Sequence, residues 1–111
     1  MRCPIWRVAV AEWSMAPSLL PEDWLLAWRG IGGRGRPIRV RPGQLVIAQN
    51  PQVPGMLVVK RVAWREPGGW WLTSDNPRAG AVDSFRFGPV PPEQIEGRVL
   101  LRYWPLKRGK T

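Results

Sequence analysis

Short runs of apolar residues, each ended by glycine, proline or asparagine, divide the chain into strand-length segments. Residues 5–15 alternate weakly between apolar and polar positions, as a half-buried strand does. Mainly apolar runs predict strands at residues 24–28, 45–48, 56–64, 70–73 and 97–104, of which the run at 45–48 is predicted to be buried. Shorter extended pieces are predicted at residues 37–40 and 89–92, with a loop from residue 74 to about residue 87.

The turn residues favour short strands over long helices. The chain has 13 prolines and 12 glycines among 111 residues, and both residue types interrupt helices. The pattern therefore predicts an all-β fold, built as a compact folded-over sheet or barrel. We expect a single β domain over residues 1–105 and a basic C-terminal tail over residues 106–111.

Composition excludes several kinds of chemistry. The chain contains no histidine, which rules out Ser-His-Asp and Cys-His catalysis and the common histidine metal sites. We therefore predict neither a metal nor another cofactor. The one cysteine, Cys3, excludes an intrachain disulfide and fits a reducing compartment. No apolar run reaches the roughly 20 residues that span a bilayer, and no secretory leader is visible, so the sequence predicts a cytoplasmic protein.

A net charge of +9 leaves more than one kind of partner open. A basic β-barrel that binds single-stranded nucleic acid through arginine and tryptophan is one alternative. Weak contact with an anionic membrane is another, because the chain also has eight tryptophans. The basic residues are scattered apart from two groups, which are Arg34, Arg36, Arg39 and Arg41, and the tail residues Lys107, Arg108 and Lys110.

A candidate nucleophile lies where the first predicted strand runs into a turn. Ser14 begins the segment Ser-Met-Ala-Pro, in which Pro17 stiffens the turn. A hydroxyl fixed in this way can attack a carbonyl if a base removes its proton, and an extended peptide can pair with the backbone nearby. Taken alone, a serine at this position is more often a plain turn residue.

A candidate base lies in the longest apolar strand. With strand alternation, Lys60 shares a face with Met56, Val58, Val62 and Trp64, all of them apolar. Burial disfavours the ammonium form, so we predict a lowered pKa for Lys60 and a neutral amine able to accept a proton from serine. The alternative is a snorkelling or edge-protecting lysine.

Together these motifs resemble a known family. Ser-Met-Ala-Pro-Ser-Leu, the strand ending Val59-Lys60-Arg61, the box Asp75-Asn76, and Asp83-Ser84 followed by Phe87-Gly88-Pro89-Val90 look like the signal-peptidase-like Ser/Lys serine proteases. Among these, the chain most resembles the maturation proteases of nickel-type superoxide dismutase. The resemblance implies the signal-peptidase/LexA-like catalytic fold, mostly antiparallel β.

The resemblance also implies roles for individual residues. Ser14 would be the nucleophile and Lys60 the general base. Backbone groups at Trp13, Ser14 and Met15 would form the oxyanion site and the strand that pairs with substrate. Asp75, Asn76, Asp83 and Ser84 would form a supporting loop. The implied substrate is a precursor protein whose N-terminal pro-segment is removed, with no nucleic-acid partner expected.

Two positions depart from the family pattern. Glu12 stands where relatives commonly have glycine or a small hydroxyl residue, and Ala81 where many carry a serine that hydrogen-bonds the lysine. Ser84 is the candidate to supply part of that support. Two related alternatives remain open: a signal peptidase I-like enzyme without its membrane anchor, and a catalytically inactive relative that serves as a binding module.

Overall fold

One antiparallel sheet of six strands contains about half of the described residues. The computed structural model describes residues 4–11, 15–16, 18–29, 38–53, 55–76 and 83–104. Within them it has a four-residue helix, α1 (Ser84–Phe87), and a 3-10 helix at Pro92–Gln94. The strands are β1 (Ile5–Ala9), β2 (Trp24–Trp28), β3 (Leu45–Gln49), β4 (Leu57–Glu66), β5 (Gly69–Thr73) and β6 (Ile95–Trp104).

The strand order is β1-β2-β6-β3-β4-β5, and every neighbouring pair is antiparallel. Consecutive hairpins join β3, β4 and β5, whereas β6 returns from the end of the chain to the middle of the sheet. This arrangement confirms the predicted all-β, mainly antiparallel fold.

Two apolar clusters hold the sheet together. The smaller one packs the segment after β1 and the turn at Met15 against β2, through Val10, Met15, Leu19 and Leu25. In the larger one, residues of β3, β4, β5 and β6 pack against the segments at residues 38–40 and 90. Its buried members are Ile38, Val40, Val46, Ala48, Val58, Val62, Leu72, Val90 and Ile95.

Several element boundaries differ from the sequence prediction. The first strand ends at Ala9 instead of extending to residue 15. After it, the backbone of Val10 bonds to Glu22 and Asp23 rather than continuing the β1–β2 ladder. The loop predicted from residue 74 to about residue 87 contains α1. Asp83 caps the start of this helix, because its side chain accepts a hydrogen bond from the Phe85 N–H.

A β-bulge changes which side chains of β4 share a face. Val62 pairs with Leu72, but the next pair is Trp64 with Trp71, so Ala63 is the extra residue. The alternation therefore reverses after Val62, and the prediction that Trp64 shares the face of Lys60 is wrong. Trp64 is 44% exposed and stacks on Trp71 with 5.5 Å between ring centroids.

The turn between β4 and β5 brings two backbones into close contact. Gly69 has a φ of +147° and packs directly against the backbone carbonyl of Val90. The Trp70 N–H donates to the Val90 carbonyl at 2.8 Å, and the Val90 N–H donates to the Trp70 carbonyl at the same distance. Only a residue without a Cβ fits this approach.

We expect Gly69→Ala to lower the free energy of unfolding by about 3 kcal/mol, because the new Cβ would overlap the Val90 carbonyl. Gly68→Ala is the matched control, since Gly68 also has a positive φ but open space around its Cβ position, and it should cost about 1 kcal/mol. Urea unfolding measures both. Equal losses in the two variants would contradict the close approach.

Candidate active site

Lys60 is the largest fully buried side chain among the described residues. It lies at the middle of β4, paired with Val46 of β3, and is 1% exposed. Its neighbours on the same face of β4, Val58 and Val62, belong to the larger apolar cluster. The alternation that predicted an apolar setting for Lys60 is therefore correct for these two neighbours.

Ser74 provides a polar contact for this amine. Lys60 Nζ donates to Ser74 Oγ at 3.0 Å. Ser74 directly follows β5, which pairs with β4, so the sheet itself carries the hydroxyl to the lysine. Ser74 was not predicted from the sequence, because a serine at the start of the predicted loop has the local pattern of an ordinary turn residue.

The segment at residues 83–90 accepts hydrogen bonds from alternate N–H groups along the outer edge of β5. The Trp70 N–H donates to the Val90 carbonyl at 2.8 Å, and the Leu72 N–H donates to Ser84 Oγ at 2.8 Å. The Ser74 N–H donates to Asp83 Oδ2 at 3.0 Å. Because outward N–H groups recur at every second residue of a strand, these three hydrogen bonds cover consecutive outward N–H groups of this edge.

Asp83 and Ser84 therefore support Ser74, which in turn contacts Lys60. Asp83 joins the start of α1 to the backbone of Ser74, since its other oxygen accepts from the Phe85 N–H at 3.1 Å. Ser84 is 1% exposed, and its hydroxyl accepts from the Leu72 N–H. The hydroxyl that accepts from Lys60 is that of Ser74. That Ser84 supplies part of the support expected from a serine at position 81 stays a prediction.

Asp75 ties three segments together next to Ser74. Arg61 donates to both of its carboxylate oxygens, at 2.9 Å from Nε and 2.6 Å from Nη2. Ser18 Oγ donates to Asp75 Oδ2 at 2.7 Å, and the Asp75 N–H contacts Met15 Sδ at 3.4 Å. The loop after β5 is thereby joined to the turn at residues 15–18. Asn76, the next residue, is half-buried.

The ion pair changes the titration of both partners. The hydrogen bonds from Arg61 lower the pKa of Asp75 below its ordinary value, against an opposing effect of burial, and Ser18 adds to the lowering. The same hydrogen bond raises the pKa of Arg61. Asp75 is thus held as a carboxylate, the form that accepts hydrogen bonds from Arg61 and Ser18 at once.

The structure describes only part of the predicted site. Trp13 and Ser14 lie outside the described residues, as does Glu12. Met15 is described and is 1% exposed. The predicted supporting residues Asp75, Asp83 and Ser84 do lie together, around Ser74.

Curated proteins similar to the chain are subunits of membrane proteases. Mitochondrial inner membrane protease subunit 1 of Xenopus tropicalis is 31% identical over 88 residues, which are 61% of this chain and 52% of the relative. An Arabidopsis thaliana protein, mitochondrial ATP-independent inner membrane protease subunit 1a, is 33% identical over 85 residues, which cover 57% of this chain and 50% of the relative. A second Arabidopsis thaliana protein, mitochondrial ATP-independent inner membrane protease subunit 1b, is 30% identical over 116 residues, which cover 85% of this chain and 67% of the relative.

No family model matches the chain. The fold and these relatives nevertheless agree on a class of protein, the signal-peptidase-like serine proteases. The chain belongs to this family, as its 30% identity to a relative covered over 67% of its length shows. It spans about half the length of the first two relatives described above.

The predicted cytoplasmic location is wrong. The relatives are named as proteases of the mitochondrial inner membrane, and these names contradict the cytoplasmic assignment. Within the part of the chain that the structure describes, no helix is long and apolar enough to cross a bilayer.

We expect Asp75→Asn to lower the free energy of unfolding by about 1 kcal/mol at neutral pH, because the charge-assisted bonds to Arg61 are partly exposed to solvent. The folded-state pKa of Asp75 is depressed. Its stabilising contribution is therefore present above the unfolded pKa of about 3.9 and is lost as pH falls through the lower folded value. The difference between the wild type and the variant should shrink over that acid range.

Urea unfolding at a series of pH values measures this difference. Glu93→Gln is the control, because Glu93 is an exposed carboxylate at the 3-10 helix. Equal stability of Asp75→Asn and the wild type at neutral pH would contradict a contribution from the ion pair.

Proposed function

We propose that the protein is a serine endopeptidase that removes an N-terminal pro-segment from a precursor protein, with Ser14 as nucleophile and Lys60 as general base. The observation that carries this proposal is the buried Lys60 amine, hydrogen-bonded to Ser74 Oγ on a sheet of the signal-peptidase-like family. In an apolar strand, an amine fits base chemistry better than it fits a surface role.

The contacts of Met15 support Ser14 as the nucleophile. Met15 is fully buried, and its sulfur contacts the N–H of Asp75, the residue after Ser74. Ser14 is covalently bonded to Met15, and consecutive Cα atoms are about 3.8 Å apart. Ser18, on the other side of this turn, bonds to Asp75 as well. The turn is therefore tied to the residue that follows the Lys60 partner.

The proposed first step is acylation. The neutral Lys60 amine accepts the Ser14 hydroxyl proton as the serine oxygen attacks the scissile carbonyl carbon, and backbone N–H groups near Ser14 stabilise the oxyanion. The Lys60 ammonium then donates that proton to the leaving amine, and the peptide C–N bond breaks. An ester between Ser14 and the acyl part of the substrate remains.

Hydrolysis of the ester completes the cycle. Lys60 accepts a proton from water as the water oxygen attacks the ester carbonyl, and then returns it to the Ser14 oxygen as the acid product leaves. Ser74 would position the base in both steps. Donation of one N–H to Ser74 Oγ restricts rotation of the amine, which limits the directions in which its lone pair can accept the proton.

The substrate is proposed at the level of its class. A precursor of nickel-type superoxide dismutase is the specific candidate that the motif resemblance suggests. The relatives carry names from the mitochondrial inner membrane and do not support that precursor in particular. An experiment on the chemistry should therefore not depend on one substrate.

We expect Ser14→Ala and Lys60→Met each to reduce peptide cleavage by about 10³-fold or more, because each removes one partner of the proton transfer. Lys60→Arg should be equally inactive, since a guanidinium stays protonated. Cleavage of a diverse peptide mixture, read by mass spectrometry, measures this without a known substrate. Cleavage of the nickel superoxide dismutase precursor is measured in a separate experiment.

Lys60→Met also tests the base independently of folding. Methionine replaces the buried amine with an apolar chain of similar length, so the free energy of unfolding should not fall. The wild-type rate should rise with pH through a base pKa below the ordinary lysine value of about 10.4. Cleavage that persists in a folded Lys60→Met variant would refute Lys60 as the base.

We expect Ser74→Ala to lower kcat about tenfold with KM nearly unchanged, because the base loses its orientation but substrate contacts remain. Ser74→Thr retains the hydroxyl and should restore most of the rate. Ser84→Ala is the comparison: it leaves the Leu72 N–H unsatisfied, so it should lower stability more than kcat. A Ser74→Ala variant with wild-type kcat would mean that Ser74 does not position the base.

A further inference from the structure

Four arginines surround one cleft at the opposite end of the β4–β5 hairpin from Lys60. The cleft has a volume of about 750 Å³. Arg39 and Arg41 line it from the segment before β3, Arg65 from the end of β4, and Arg98 from β6. Arg65 lies five residues from Lys60, or about 16 Å at the usual rise of a strand. Neither Lys60 nor Ser74 lines the cleft.

The charges in this cleft have one sign. Its described lining residues include no aspartate or glutamate. Among the described residues, the only ion pair at salt-bridge distance joins Arg61 and Asp75, outside the cleft. Four arginines line this one volume, and guanidinium groups that come close together repel one another, a repulsion that a bound anion would relieve.

Two of the guanidinium groups are held in place. Arg98 Nη1 donates to the Arg39 carbonyl at 3.2 Å. The Arg65 guanidinium lies over the Trp70 ring, 5.3 Å from its centroid. The turn that carries Arg41 is fixed as well, because the Arg41 N–H donates to Gln44 Oε1 at 2.8 Å. Groups that are already ordered lose less entropy when a ligand binds.

We propose that this cleft binds a small ligand that carries two or more phosphate charges beside an apolar part. Arginine forks match the oxygen geometry of phosphate, and a phosphate brings more charge into a small volume than a carboxylate does. The volume is in the range of about 300 to 1,000 Å³ typical of small-ligand sites, whereas nucleic acid needs an extended track. Trp70, Val99 and Leu100 supply the apolar wall.

The headgroup of an anionic phospholipid and a soluble polyphosphate share this chemistry. The probes are therefore sodium tripolyphosphate in titration calorimetry, and flotation with phosphatidylcholine vesicles that do or do not contain cardiolipin, whose headgroup has two phosphates. Binding of tripolyphosphate indicates a soluble ligand. Binding only to the cardiolipin vesicles indicates the lipid source.

The test compares two double variants that remove equal charge. Arg41→Gln/Arg65→Gln changes the cleft, whereas Arg7→Gln/Arg86→Gln changes exposed arginines of β1 and α1. We expect the cleft variant, Arg41→Gln/Arg65→Gln, to bind the probe about tenfold more weakly than the wild type does. The control variant, Arg7→Gln/Arg86→Gln, should weaken binding by less than about twofold. Lys60→Met should bind as the wild type does, so the result is independent of the proposed peptidase activity.

Three results would overturn the proposal. The first is that wild type binds neither probe at low salt. The second is an equal loss of binding in the two double variants, which would mean a general charge effect. The third is binding only to a single-stranded oligonucleotide, which would make the arginines a nucleic-acid surface.

Discussion

An amine placed inside an apolar sheet needs a polar partner, and the described part of the site follows from that constraint. Removing an ammonium group from water costs several kcal/mol, so Lys60 fits its strand if a nearby group receives its hydrogen bonds. Ser74 does so at 3.0 Å. Asp83 holds the backbone of Ser74 and at the same time caps α1. Asp83 thus links α1 to Ser74, the residue directly after β5 that contacts the buried amine.

The fold and the lysine could be predicted from the sequence because both leave periodic signals. Apolar runs between turn residues predict the strands, and alternation around Lys60 correctly predicts burial beside Val58 and Val62. The bulge at Ala63 has no such signal, since an extra residue in one strand is visible only against its partner. The exposure of Trp64 was therefore missed.

The role of Ser74 could not be predicted for a different reason. A serine after a strand has the same local appearance whether it ends a turn or receives a bond from a lysine fourteen residues earlier in the chain. The contact depends on the register of β4 against β5, which pairs Arg61 with Thr73 and so brings the next residue beside Lys60. Comparison with family positions suggested Ser84 instead, whose hydroxyl accepts a bond from the β5 backbone.

The bonded outer edge of β5 has a consequence for self-association. An exposed strand edge is a template on which another molecule can add a strand, and proteins avoid long open edges for that reason. The N–H groups of Trp70 and Leu72 on β5, and that of Ser74 directly after it, are already bonded within the chain. These three N–H groups are therefore not open to pairing with a strand of a neighbouring copy.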